Sequence, residues 1–336
     1  MLRRQVIDAG LMRRRHGFYA AMLGGVLAAL AGLAVCSLVL GNSWWQLAVA
    51  AAVGGVLAQL GFLGHEASHR QVFDSNRLNE WTGRLLANLG VGMSHGWWVA
   101  KHRTHHRAPN QQGTDPDINP GVISFTPAAA AARTGPAARL VRYQGWLIFP
   151  LLAFEGLQMH QAGIARLTRR VPVPHRRTEL ALLTVRLAGY VTVLFVFLPP
   201  GKAAAFLGVQ LAVFGFLLGG AFVPNHTGMP LVAPEAELDF LRRQVLTSRN
   251  ISGRWPTRLA LGGLDHQIEH HLFPQMPRPN LRAAAPIVRA FCAEHGIPYT
   301  ETTLPAAFGY VIRYLNTVGM RNRHPFTCHL IRELRA

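Results

Sequence analysis

Acidic residues and cysteines are both scarce in this chain. Sixteen Asp and Glu face thirty-four Lys and Arg, and the three cysteines, Cys36, Cys292 and Cys328, stand far apart with no CxxC pair. That spacing excludes a disulfide framework and a thiolate metal site. Cys36 lies inside an apolar run and reads as a small apolar residue. Charged residues of both signs make up only 15% of a sequence that is 50% apolar. The apolar residues are gathered into blocks, which favours one membrane-embedded unit across residues 1–336. A net charge of +18 would suit nucleic acid, but the arginines crowd beside apolar blocks, in "MLRRQVIDAGLMRRRH" and in "ARLTRRVPVPHRR" (165–177). Such flanks mark the cytoplasmic ends of spanning helices, which excludes a nucleic-acid partner.

Four blocks carry a spanning signal, at about 18–40, 44–64, 179–198 and 203–224. The first is long enough for ~30 Å of hydrocarbon and is followed at once by the second. It therefore reads as a retained helix and not as a signal peptide. The turns "GNSW" and "PPGK" close the four blocks into two hairpins, whose spans read as free of ionisable residues apart from Arg186. Two further stretches, 85–100 and 146–160, are interrupted by His95 in the first and by Pro150, Glu155 and His160 in the second. They read as interfacial helices lying on the surface.

Four spans with a cytoplasmic N-terminus put every basic cluster and every histidine cluster on one face; a fifth at 146–160 would divide the histidines. The expected fold is all-α and integral to the membrane. It has four transmembrane helices in two hairpins, interfacial helices, and a cytoplasmic cap over 225–336 with an amphipathic helix after Pro274. The abundance of Ala, Gly and Arg points to a GC-rich bacterial genome, hence to the inner (plasma) membrane with both termini inside.

On that face the histidines crowd. In "HEASH", His65 and His69 are one helical turn apart and can grip one ion. In "HRTHH", His102, His105 and His106 follow i,i+3 and i,i+4 spacing, and "QIEHH" repeats the pattern with Gln267, His270 and His271. His226 follows the fourth span, with Asn225 beside it. Protonated together these imidazoles would repel; neutral, they need donors or a cation for their lone pairs. Eight nitrogens exceed the ligand number of one zinc ion, so two ions sharing them fit better. Imidazole suits Fe, Zn, Cu and Ni alike, which leaves the metal open. Carboxylate di-iron bundles use paired Glu-x-x-His motifs, and here only Glu66 to His69 matches within the boxes.

"HEASH", "WWVAKHRTHH", "DPDI" (115–118) and "GGLDHQIEHHLFP" resemble, in order and spacing, the three histidine boxes of the membrane fatty acid desaturases, from about residue 60 to 300. The resemblance implies a di-iron centre at the cytoplasmic face that uses O2 to desaturate an acyl chain. Its ligands would be His65, His69, His102, His105, His106, His270 and His271, with His226 as the additional histidine between last span and third box. Gln267 departs from the acyl-CoA enzymes and resembles the front-end and some bacterial members; it would ligate weakly, hold a water or orient a ligand. His266 falls on a different helical face from its neighbour Gln267. Asn225, Asp265 and Glu269, with Gln267 and His266, are candidates to support the ligands from behind. The resemblance further implies a fatty acyl substrate on CoA, carrier protein or lipid. With no cytochrome b5 domain read in the chain, it also implies a separate electron donor such as ferredoxin or rubredoxin with its reductase.

Trp97 and Trp98 read as interfacial anchors or tunnel wall, and the small residues of "LLGGAF" (217–222) as close helix packing. His16, His175, His295, His324 and His329 read as solvated or interfacial. Two other outcomes belong to the same pattern. A hydroxylase or ketolase would share the boxes, whereas a metal transporter would want its site near the bilayer midplane, away from these helix ends.

Overall fold

The computed structural model describes residues 1–320, so Cys328, His324 and His329 lie outside the described residues. Among the described residues, four helices are long and apolar enough to cross a membrane: His16–Leu40, Gln46–Ser68, Arg176–Phe197 and Pro200–His226. They are the four spans read from the sequence, each end displaced by four residues or fewer. The chain is an integral membrane protein of all-α type, with one two-stranded parallel pair, β1 (Asn250–Ser252) and β2 (Glu301–Thr303), that periodicity did not announce.

The spans are not equivalent. Only 6% and 11% of the apolar windows of the first and third are buried, against 56% and 39% for the second and fourth. The second and fourth are therefore the inner pair, and the other two offer most of their surface to lipid. Small residues set the inner contact: a Cβ on Gly54 would lie 2.7 Å from the Gln210 carbonyl. Both short turns lie on one face. Lys202 Nζ donates to the Asn42 carbonyl and Oδ1 at 2.6 and 2.7 Å, tying the two hairpin tips together. Buried Gln46 closes the first hairpin by donating to the Ser37 and Gly41 carbonyls, both at 2.8 Å. A backbone carbonyl without such a donor would be costly in hydrocarbon.

The opposite face carries the cap. Its core joins Val245, Ile268, Leu272, Met276, Leu281 and Val288 to Leu2 and Val6 of the N-terminal helix. The amphipathic helix expected after Pro274 is Arg278–Glu294, which opens with Pro at its first turn.

Two sequence expectations need correcting. The stretch 85–100 is not one interfacial helix. It is a π-helix, Leu85–Val91, that ends where Gly92 turns left-handed (φ 92°), followed by a separate helix, His95–Arg107, capped by Ser94. The stretch 146–160 belongs to a continuous helix, Gln144–Thr168, pressed against the fourth span instead of lying free on the surface. A Cβ on Gly156 would meet the Leu211 carbonyl at 2.9 Å, and one on Gly219 would meet Leu152 Cδ2 at 2.6 Å. The "LLGGAF" glycine thus serves helix packing, as expected. The third span also opens with a charge that the sequence reading overlooked. Glu179 is fully buried and accepts from Ser94 Oγ (2.7 Å), the Gly96 N–H (2.9 Å) and Asn88 Nδ2 (3.3 Å). It pins the second-box helix to that span.

Candidate metal centre

Four segments deliver histidines to one place. His65 and His69 sit at the end of the second span, and His226 is the last residue of the fourth. His102, His105 and His106 lie on helix His95–Arg107, and His270 and His271 on the short helix Gln267–Leu272. The eight fall into two adjoining clusters. His65, His69, His102, His106 and His270 form the first, and His105, His226 and His271 the second, with ligand atoms in each within 4.8 Å of one another. The boxes are therefore shared: His105 parts from His102 and His106, and His271 parts from His270. A stacked pair, His106 on His271 at 4.2 Å, joins the two clusters, and Trp98 stacks on His102 of the first at 4.4 Å.

The donor set tests whether a cation belongs here. His102 Nε2 faces Nε2 of His69, His106 and His65 at 2.8, 3.0 and 3.1 Å. One nitrogen carries one proton or one lone pair, so at most one of these contacts is a hydrogen bond. Extra protons are disfavoured. Burial and the Arg103 charge push His69 down to about 3, and burial among other imidazoles lowers His102, His106 and His270. Nε2 of His270 and of His271 are buried without any hydrogen-bond partner. Converging neutral lone pairs of this kind fit metal ions.

In the second cluster the tautomers are fixed from behind. His105 Nδ1 donates to both oxygens of buried Asp115 at 3.1 Å, His226 Nδ1 to the Thr247 carbonyl at 2.9 Å, and His271 Nδ1 to Gln244 Oε1 at 2.9 Å. Each Nε2 is then left as an inward-facing lone pair. Burial alone would lower His105, but the Asp115 hydrogen bond and the Asp117 charge raise it. Gln267 Nε2 stands 2.9 Å from His226 Nε2, with its Oε1 held by Asn225 Nδ2 at 3.3 Å. Both residues are thus at the site.

Asp265 and Glu269 are not behind the ligands. Asp265 pairs with His266 Nδ1 at 3.0 Å, which takes His266 out of both clusters, and Glu269 accepts from Asn250 and Tyr299 at 2.7 and 2.8 Å. On the short helix Gln267–Leu272 the Glu269 carboxylate turns to Asn250 and Tyr299 while His270 and His271 point into the centre, and Asp265 lies on the turn before it, Leu264–His266. The supporting residues that sequence reasoning missed are Asp115, Gln244 and Thr247. Asp115 had a signal, a carboxylate just past "HRTHH"; "RRQVLTS" offered none. Glu66, inside the first box, is buried in an ion pair with Arg278 that straps the cap helix to the second span. His16 and His175 are paired with Asp74 and Glu80 near the surface, and His95 is buried against Ser68.

The profile of the fatty acid desaturase family matches residues 42–303, which take in all eight histidines of the two clusters. The chain belongs to that family. Among curated relatives it is 30% identical over 323 residues to an acyl-lipid (9-3)-desaturase of Physcomitrium patens, covering 92% of this chain and 61% of the relative. It is 33% identical over 252 residues to an acyl-lipid 8-desaturase of Rebecca salina (73% and 57% covered). Over 270 residues it is 31% identical to a Delta(5) fatty acid desaturase of Caenorhabditis elegans (76% and 60%). The chain spans about three fifths of the length of these relatives. Against the family background, the split into two histidine clusters at the ends of the inner spans is what the boxes build here.

Proposed function

We propose that the chain is an oxygen-dependent fatty acyl desaturase forming a cis double bond in a long acyl chain. The observation that carries this is the pair of adjoining buried histidine clusters in a member of the fatty acid desaturase family. His65, His69, His102, His106 and His270 would hold one iron, and His105, His226 and His271, with Gln267 beside them, the other. Two irons bound there would supply O2-dependent removal of two hydrogens from neighbouring methylenes.

The protein's own part is to orient and to exclude water. Asp115, Gln244 and the Thr247 carbonyl accept from Nδ1 of His105, His271 and His226 and so keep each Nε2 aimed inward. Phe222, edge-on to His65 and His102 with centroids 6.1 and 6.3 Å away, puts an apolar wall beside the first cluster. The substrate is an acyl chain on CoA, carrier protein or lipid, and electrons come from a separate carrier such as ferredoxin or rubredoxin with its reductase. The arginines at 3–4, 13–15 and 166–177, which flank the spans, support a cytoplasmic site in a bacterial inner membrane. They also suit an acidic carrier. Residues 1–336 act as a single domain in this reading.

Expression with a ferredoxin and reductase in a bacterial host lacking polyunsaturates, with total fatty acids profiled by mass spectrometry, tests it. A new double bond, absent with His270→Ala, is expected. A hydroxylated product would assign the hydroxylase outcome. Protein with neither product nor iron would refute the proposal.

A further inference from the structure

The helix that delivers the third box is too short to hold itself. Gln267–Leu272 has six residues, all buried, and isolated helices shorter than about 12–15 residues are marginal in water. The residue at its N-cap, His266, gives it no side-chain hydrogen bond, so the N–H groups of its first turn need acceptors from elsewhere. Yet this helix serves both clusters, because His270 belongs to the first and His271 to the second. A small rotation or slide of it would misplace a ligand in each.

Buried Asn250 supplies the missing cap from outside the helix. Its Oδ1 accepts from the Ile268 N–H at 2.9 Å, and its Nδ2 donates to Glu269 Oε2 at 2.7 Å and to the Tyr299 hydroxyl at 2.6 Å. Tyr299 closes the triangle by donating to Glu269 Oε1 at 2.8 Å. A backbone N–H can only donate, so the amide oxygen must face Ile268 and the orientation of Asn250 is settled. Asn250 is itself fixed, paired with Glu301 across β1 and β2, its N–H on the Thr300 carbonyl at 2.9 Å. The residues just before it reach the other ligand-bearing segments. Gln244 Nε2 donates to the His106 carbonyl at 3.0 Å while its Oε1 accepts from His271. The Thr247 carbonyl accepts from His226, and the Arg249 N–H donates to the Asn225 carbonyl at 3.0 Å. The run 244–250 contains no histidine, yet it ties together the second box, the end of the fourth span and the third box.

We infer that Asn250 is a positioning residue for the whole metal centre. Acting through Ile268 and Glu269, it fixes the helix Gln267–Leu272 and so places His270 in one cluster and His271 in the other. Glu269 then has a use although it faces away from the clusters: it is the acceptor that holds Asn250 and Tyr299 against the helix. The inference rests on the two-iron reading proposed above and needs no knowledge of the substrate.

The test reads metal retention, not turnover. The full chain in detergent is loaded anaerobically with iron(II) and titrated with a chelator, and the metal-free protein is melted in parallel. Asn250→Asp sets a second carboxylate against Glu269, and both irons should be released at about tenfold lower chelator concentration than in the wild type. Asn250→Asp/Glu269→Gln exchanges amide and carboxylate, restores a donor–acceptor pair, and should recover most of that loss. A residue that merely stabilises the cap would lower the melting temperature and leave iron retention as it was; that result overturns the inference. So does loss of iron from one cluster alone, or an exchanged variant that folds yet retains iron as weakly as Asn250→Asp. Should Asn250→Asp fail to fold, the exchanged variant decides: retention like the wild type supports the inference, and weaker retention overturns it. Wild-type protein that takes up no iron would instead sink the two-iron reading.

Discussion

Asp115 offers a sharp test of how the second cluster is held. Its two oxygens receive His105 Nδ1 at 3.1 Å each, the Asp117 N–H at 3.0 Å and the Asn110 N–H at 2.7 Å. The carboxylate is wholly buried. In Asp115→Asn one oxygen becomes an NH2 group that must face either the Asn110 or the Asp117 N–H, leaving a buried donor unpaired at about 1–3 kcal/mol. The imidazole also loses its charged acceptor, and such supports are worth roughly 10–100-fold in metal affinity, or about 1.4–2.7 kcal/mol. Asp117→Asn is the internal control. Its carboxylate is 3.3 Å from His105 but 39% exposed and shared with Lys101 at 2.8 Å, so a change within about threefold is expected. Chelator competition in detergent, with melting of the loaded protein, reads both. Equal affinity in wild type and Asp115→Asn, or equal losses at the two positions, would show that Asp115 does not orient His105.

Gly215→Ala should destabilise by about 1–3 kcal/mol through overpacking. The new Cβ would lie 2.8 Å from the Leu152 carbonyl, whereas Gly220→Ala meets nothing within 4 Å and should melt like the parent. Breaking the buried Glu66–Arg278 pair by Arg278→Met should cost about 3–5 kcal/mol, with partial recovery in Glu66→Met/Arg278→Met. Additive losses in that thermal double-mutant cycle would deny the strap. In metal-stripped protein, burial holds His69 and His95 down to about 3 and 4 and also lowers His102, His106, His270 and His271. The unfolded chain takes up protons from about pH 6.5 downward while the folded chain does not. Stability therefore falls below about pH 6.5, at about 1.4 kcal/mol per pH unit per histidine, until the folded values are reached. A melting temperature unchanged between pH 7.5 and 5 would contradict this.

Much of the centre was legible because membrane spans and ligand-rich boxes write themselves locally. Hydropathy placed all four spans, and parity placed the boxes on one face. What spacing hides is partition. On a helix His102, His105 and His106 look like one gripping face, but His105 turns toward Asp115 and His226, contacts made by a loop and by a residue more than a hundred positions away. The roles of Gln244 and Thr247 were illegible for the same reason, since nothing in their own neighbourhood marks them. Glu269 misled because adjacency in sequence to His270 is about 100° of rotation on the helix. Helix Gln144–Thr168 misled because its interruptions, Glu155 and His160, are tolerated where the fourth span covers one side.

The partition also sets an order of completion along the ribosome. Four of the five histidines of the first cluster precede residue 107, whereas the second has only His105 until His226 and His271 emerge. The nascent chain can thus hold the beginnings of one metal site while the other is still unmade. Only when the third box docks, placing neighbouring histidines 270 and 271 one in each cluster, are both closed in a single step.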